Sequence, residues 1–372
     1  MDRMILPGKL TGEISAPPSK SAAQRILLAA ALCEESTEIE LNRICRDVET
    51  MAQAIGALGA RAGWIPGGLR VVPGQDELKE IDTKDSGATA RFLLPVLVAR
   101  GEEVFLTGAP RPHGELTALL EAHGASLSAR ELPLRLCGRL TPGEYRLDRP
   151  ISSQFVSGLL YALPLLEGES RILVEGAVSS PYVELTREVL ALFGVRSFRE
   201  EGGFRVPGGQ RYRSPGRCIV EGDWSAGGWW LAVNALQGGG VTVTNLPLHS
   251  SQPDRAITGY LQELPETVDV SQTPDLLPAL ALLAAMRPQT TRFTGGAFLR
   301  RKESDRLHTV AAVLAALGVA VEELPDGLTV VGGRPLHGGV TLDAFDDHRI
   351  AMLCGCAALF CREPVVLRGG DC

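Results

Sequence analysis

The sequence has no uncharged apolar run of the roughly 18 to 20 residues that a membrane-spanning helix needs. Met1 to Leu10, interrupted by Asp2 and Arg3, holds no apolar stretch of the secretory kind. No membrane partner is expected, and the location expected is the cytoplasm. There is no CxxC pair and no histidine at zinc-ligand spacing; Cys33, Cys45, Cys137, Cys218, Cys354, Cys356, Cys361 and Cys372 are scattered along the chain. Cys354 and Cys356 lie two apart in an apolar helical pattern, where side chains point to different faces and do not easily share an ion. Free thiols and no metal are therefore expected. Positive charge is also in deficit, 37 Lys and Arg against 44 Asp and Glu for a net charge of −7. That balance argues against a nucleic-acid partner, which is held by neutralising phosphates.

What is present is enough apolar material for two ordinary domains: 372 residues, 45% hydrophobic and 22% charged. The pattern repeats. A short polar motif precedes an apolar helix-length run, then a polar turn, then a β-branched run. The apolar runs begin near Gln24, Phe92, Phe155, Trp229, Leu276 and Arg349. Their irregular spacing rules out a solenoid and fits a duplicated unit with variable loops. The strands expected after these runs are Thr37 to Leu41, Glu103 to Leu106, Arg171 to Val174, Val241 to Val243, Thr291 to Phe293 and Pro364 to Leu367. A second kind of helix stops at Gly59, Gly124, Gly194 and Gly318, each followed by two extended runs about a turn. The unit is thus mixed α and β, with two helices and about four strands.

The polar motifs fall at the starts of the apolar helices: Ser19-Lys20-Ser21, Asp85 to Thr89, Ser152-Ser153-Gln154, Glu221-Gly222-Asp223, Thr273-Pro274-Asp275 and Asp346 to Arg349. A helix N-terminus offers free N–H groups and the positive end of a dipole, so it attracts anions. Ser, Thr and Asp there are also ordinary caps. Capping alone does not account for Lys20, Arg25, Arg91 and Arg349, cations placed near N-termini whose dipoles they oppose.

Carrying Pro17-Pro18-Ser19-Lys20-Ser21 with Arg25, Ser152-Ser153-Gln154-Phe155, Ser179 with Pro181-Tyr182, Val220 to Asp223, Lys302-Glu303-Ser304-Asp305-Arg306 and Asp347-His348-Arg349 in this order, the chain resembles the 5-enolpyruvylshikimate-3-phosphate synthase family. These are the 3-phosphoshikimate carboxyvinyltransferases of aromatic amino-acid biosynthesis. The resemblance implies an α/β (α+β) inverted-barrel fold of two domains with three repeated units each, and a substrate cleft between them. The domains would be residues 1–12 plus 222–372, and residues 13–221. It implies that shikimate 3-phosphate is held by Lys20, Ser21, Arg25, Ser152, Ser153, Gln154, Ser179, Tyr182, Asp275 and Lys302. Phosphoenolpyruvate would be held by Lys20, Gly87, Arg111, Gln154, Arg306 and Arg349. Two such anions need several cations to offset their repulsion, and arginine grips a carboxylate or phosphate by two parallel bonds.

Transfer requires the 5-hydroxyl to lose a proton as it attacks C2 of the donor while C3 gains one, after which phosphate leaves and C3 returns its proton. Two acid–base groups suffice, with no cofactor. By resemblance Asp275 accepts the hydroxyl proton and Glu303 serves C3, with Lys20 as partner. Read without the family, Glu303 is one of a surface group of ion pairs with Arg301, Lys302, Asp305 and Arg306. Gly87 reads as a close backbone approach to ligand or as a plain turn, and Tyr182 as a ligand or a core aromatic with its hydroxyl at the rim.

The sequence departs from the family at Asp85, where Asn or Glu is usual, and at Phe298, where some members place a substrate-binding asparagine. It ends at Cys372, where the family continues for some tens of residues and supplies a further donor-binding lysine. Either a longer reading frame or weak donor binding is expected from that. Two other readings compete. The sister carboxyvinyltransferases acting on UDP-N-acetylglucosamine carry Lys-Asn at the start and a cysteine in the loop matching Thr107 to Gly114, which has none here. A non-catalytic anion-binding relative is the other. Small-molecule substrates and a monomer are the partners expected.

Overall fold

The repeat acquires its form from one local device in the computed structural model, which describes residues 2–109, 113–148, 152–175 and 180–371. Four of the leading strands, Glu80–Asp82, Glu144–Asp148, Thr267–Asp269 and Thr341–Asp343, end in an aspartate. In three of them the carboxylate accepts the N–H two residues on: Asp82 from Lys84 at 2.8 Å, Asp269 from Ser271 at 2.8 Å, Asp343 from Phe345 at 2.7 Å. This Asx turn bends the chain out of the sheet and aims the next helix start. Lys84 and the pair Phe345 and Asp346 take positive φ of 48°, 52° and 52° in these bends, a conformation that costs a residue with a Cβ of order 1–3 kcal/mol.

The chain divides into two units, Pro17–Glu221, and Met1–Ala16 with Gly222–Cys372. The first contains α1 (Lys20–Ala31), α2 (Arg46–Ala54), α3 (Gly87–Arg100), α4 (Gly114–Ala122), α5 (Ser153–Ala162) and α6 (Ser180–Leu192). The second contains α7 (Trp224–Gln237), α8 (Ile257–Gln262), α9 (Leu277–Met286), α10 (Arg306–Ala316) and α11 (His348–Ala358). A complete repeat is a leading strand, a buried helix, a parallel strand, a second helix and an antiparallel hairpin. Strand Glu80–Asp82 thus lies parallel to Val104–Thr107, which pairs antiparallel with Leu134–Gly138, itself paired with Ala125–Leu127. The same order recurs in three other four-stranded sheets.

Two repeats are shorter than the sequence pattern suggests. Among the described residues Val241–Thr244 pairs only with Gly12–Ser15, because a loop and a short 3₁₀ turn follow it in place of a hairpin. Val365–Arg368 has Thr341–Asp343 parallel on one side and Arg3–Ile5 antiparallel on the other. The strands nearest the two chain crossings are exchanged. Gly12–Ser15 precedes α1 yet pairs beside Val241–Thr244, and Arg217–Ile219 precedes α7 yet pairs with Thr37–Glu40.

The first helix of each repeat is apolar on most of its circumference and sits in the core, as such a helix must. Phe92 in α3, Phe155 in α5 and Leu280 in α9 have no exposed surface. Burial of each such side chain contributes roughly 1.5–3 kcal/mol. α3 and α5 touch at Gly158, where a Cβ would stand 2.3 Å from the Arg91 carbonyl oxygen and 2.9 Å from Pro95 Cγ. Glycine is needed there for the close approach that also brings Arg91 to Gln154. No disulfide joins any of the seven described cysteines to another. Among the described residues no helix is long and apolar enough to cross a membrane.

Candidate active site: anion-binding helix starts and an arginine hub

Five of the six polar motifs cap their helices as the residue types require. Ser19, Ser86, Ser152, Asp223 and Asp347 accept from the N–H groups of Ala22, Thr89, Gln154, Ala226 and Arg349. The sixth differs. Thr273 makes no side-chain cap bond, and Pro274–Leu276 is a 3₁₀ turn, with α9 starting only at Leu277. Asp275 is thereby released from capping, and its carboxylate faces two arginines instead.

In the unit Pro17–Glu221, Arg25 projects from α1 into the core and is 3% exposed. Its Nε donates to Thr186 Oγ1 at 2.8 Å, Nη1 to the Ser21 carbonyl at 2.8 Å and Nη2 to the Tyr182 carbonyl at 3.2 Å. The guanidinium lies 5.0 Å over the Phe92 ring. These hydrogen-bond acceptors are all neutral. Burial pulls the Arg25 pKa below its ordinary value, and the charge is fixed in place by dipoles that leave it free to attract an anion. Ser21 and Tyr182 therefore meet Arg25 through their backbones, and Tyr182 is half-buried.

Lys20, the first residue of α1, pairs with Asp47 at 3.0 Å. Gln24, 2% exposed, ties the same region together by donating to the Asp47 carbonyl, Ser86 Oγ and Thr89 Oγ1. Arg91 Nη1 donates to Gln154 Oε1 at 2.8 Å, so the amide nitrogen of Gln154 is the end left to meet an acceptor. Gly87 is the first residue of α3. Ser152 and Ser153 form the start of α5. Arg111 and Ser179 lie outside the described residues.

In the other unit the organising group is Arg306, 1% exposed at the start of α10. Three carboxylates surround it: Asp275 Oδ1 at 2.6 Å, Glu303 Oε2 at 2.6 Å and Asp347 Oδ2 at 2.9 Å. Burial works against this cation, but the three carboxylates together outweigh it and hold its pKa above the ordinary arginine value. Arg349 Nη2 reaches the second oxygen of Asp275 at 3.0 Å. Asp347 is fully buried and also accepts from Ser304 Oγ at 3.0 Å. Glu303 is itself exposed and reaches inward to the buried Arg306, so one of the ion pairs read from the sequence is present. Beside it Asp305 pairs with Arg300 at 2.9 Å. Lys302 lies 6.0 Å from the Phe298 ring centre, so the departure at Phe298 supplies a cation–π partner. Burial holds its ammonium below the usual lysine range, against the pull of Asp275.

The candidates thus gather as Arg25 with Ser21 and Tyr182, as Lys20 with Asp47, as Gln154 with Arg91, and as Asp275, Glu303, Arg306 and Arg349. Lys20 and Glu303, expected as partners at C3, belong to different units. Sequence reasoning missed Asp47 and Gln24 in this region. Asp47 has no motif around it, and Gln24 carried one signal, a polar residue on the buried face of an apolar helix.

Comparison with known proteins gives a consistent result. A family model described as EPSP synthase (3-phosphoshikimate 1-carboxyvinyltransferase) matches residues 6–264 and 256–372. The 3-phosphoshikimate 1-carboxyvinyltransferase of Clostridium novyi (strain NT) is 34% identical over 407 residues, spanning 98% of this chain and 92% of the relative. That of Clostridium kluyveri is 35% identical over 402 residues, spanning 99% and 93%. A solved structure of EPSP synthase from Acinetobacter baumannii superposes with a TM-score of 0.84 over 100% of this chain and 94% of that one, at 22% identity. That likeness speaks for the fold.

Proposed function

The chain belongs to the EPSP synthase (3-phosphoshikimate 1-carboxyvinyltransferase) family, and from that premise we propose how its residues carry the transfer of the enolpyruvyl group from phosphoenolpyruvate to shikimate 3-phosphate. The observation that carries the reading is Asp275, freed from capping and bonded through its two oxygens to Arg306 and Arg349. A carboxylate flanked by arginines is what a base working beside an anionic donor requires.

In this reading Asp275 takes the proton of the 5-hydroxyl as its oxygen attacks C2 of the donor. Glu303 delivers a proton to C3 and takes one back as phosphate leaves. Arg306, Arg349, Lys20, Gly87, Arg111 and the amide of Gln154 hold the donor. Arg25, Ser21, Ser152, Ser153, Gln154, Ser179, Tyr182, Lys20, Asp275 and Lys302 hold the acceptor. Arg306, Arg349 and Lys20 are paired with Asp275, Glu303 and Asp47, so an arriving anion competes with internal carboxylates for cations already in position. Taking up the donor in this way frees an oxygen of Asp275 for the hydroxyl proton. The reading carries with it a cytoplasmic monomer acting on small molecules.

Phosphate release tests it. With phosphoenolpyruvate as donor, shikimate 3-phosphate should support release and UDP-N-acetylglucosamine should not. Release with the nucleotide sugar alone would transfer the chain to the sister activity, and binding without release from either would make it a non-catalytic relative.

A further inference from the structure

One buried acid in the unit that holds the arginine hub is not used by this mechanism. Asp254 lies in the 3₁₀ turn Pro253–Ala256 and is 1% exposed. One oxygen, Oδ2, accepts from the hydroxyl of Ser225 at the start of α7. The other, Oδ1, is buried and makes no hydrogen bond among the described residues. An ionised carboxylate with a bare buried oxygen is costly, whereas the neutral acid tolerates the site.

The charged neighbours on each side are few. Asp275 from the Pro274–Leu276 turn and Asp223 from the N-cap of α7 disfavour ionisation, and Arg349 from α11 favours it. Arg255, next in its own turn, is turned away toward the carbonyls of Ser250 and Leu248. α8, which follows directly, contains no charged residue. Burial first, then Asp275, raises the Asp254 carboxyl to about 7.

We propose that Asp254 is a positioning residue whose proton sets the charge seen by the anion held at Arg349 and Arg306. This rests on the reading of that pair as the donor site. Neutral, Asp254 leaves Arg349 to Asp275 and the incoming anion. Ionised, it adds a negative charge beside the site and draws on the same arginine. The sign follows from linkage: an anion binds the protonated form better, so binding takes up a proton, and affinity falls as pH rises through the Asp254 transition.

Sulfate is a suitable probe, since it is a dianion that does not itself titrate between pH 6 and 8. In the full-length protein, calorimetric titration should show sulfate affinity falling by about three- to tenfold over that range, with proton uptake on binding; a shift of one pKa unit corresponds to a factor of 10. Asp254→Asn should bind at all pH values as the wild type does at pH 6, without proton uptake. Ser225→Ala removes the bond that favours the ionised form, so its midpoint should move to higher pH. A purely structural role for Asp254 predicts neither the flat profile nor the opposite displacement by Ser225→Ala. An Asp254→Asn protein with the wild-type pH profile, or a Ser225→Ala midpoint moved to lower pH, overturns the proposal. Because sulfate binding is read without turnover, this outcome is separate from that of the phosphate-release assay.

Discussion

Asp275→Asn is expected to lower turnover by about 100-fold or more while shikimate 3-phosphate still binds, because a positioned general base contributes roughly 10² to 10⁴. The amide keeps the shape of the carboxylate but cannot take the hydroxyl proton. It also turns an NH₂ group toward Arg306 or Arg349, each of which now donates to a carboxylate oxygen. Part of the loss will therefore come from displaced arginines and should appear as a raised KM for the donor. Arg25→Ala supplies the contrast. Its guanidinium is held by neutral oxygens, so its removal should abolish tight acceptor binding. Ligand-induced stabilisation by shikimate 3-phosphate separates the two: present in Asp275→Asn, absent in Arg25→Ala. Near-normal turnover in Asp275→Asn would remove this residue from the base role.

Arg306→Met should be among the most destabilising single changes in the molecule. Methionine fills the stem volume but leaves fully buried Asp347 without its main counter-ion, and leaves Asp275 and Glu303 without their 2.6 Å bonds to Arg306. Breaking a buried pair by removing one partner costs about 3–5 kcal/mol. For a domain of 150 to 250 residues that corresponds to roughly 6 to 20 °C in thermal midpoint. Arg306→Lys should recover only part, since an ammonium cannot present the planar fork that serves three carboxylates at once. The check is thermal unfolding of the two variants beside the wild type. A methionine variant as stable as the wild type would mean that the hub is dispensable to the fold.

Much of this architecture was legible because it is written in short-range chemistry. Serine or aspartate before an apolar run marked the starts of α1, α3, α5, α7 and α11, and those residues do cap. The six expected return strands each fall within one or two residues of the observed ones. The pairing of strands was not legible in the same way. Nothing local in Gly12–Ser15 says that it lies beside Val241–Thr244, because the exchange depends on partners more than 200 positions away in sequence.

The recurring aspartate at the ends of leading strands, Asp82, Asp269 and Asp343, was available in the sequence as a signal, yet an isolated Asp after one polar and one apolar residue reads as any loop residue. Within the site, Asp275 was placed by its motif. Its release from capping follows from Pro274, which favours a tight turn at that point. The burial of Arg306 could not be foreseen, since a charged helix start is ordinarily a solvated surface. Only the three-dimensional convergence of Asp347, Glu303 and Asp275 makes it an interior group.

The most direct test of the central claim, that this chain moves an enolpyruvyl group by addition and elimination with a proton passing through C3, is proton NMR of the product formed in D₂O from phosphoenolpyruvate and shikimate 3-phosphate. The account predicts a vinyl ether on the 5-oxygen, one phosphate released for each, and deuterium in the vinyl methylene, because C3 takes a solvent-derived deuteron and returns one of its three hydrogens. A vinyl ether carrying only protium, or no vinyl ether at all with both substrates bound, would contradict it.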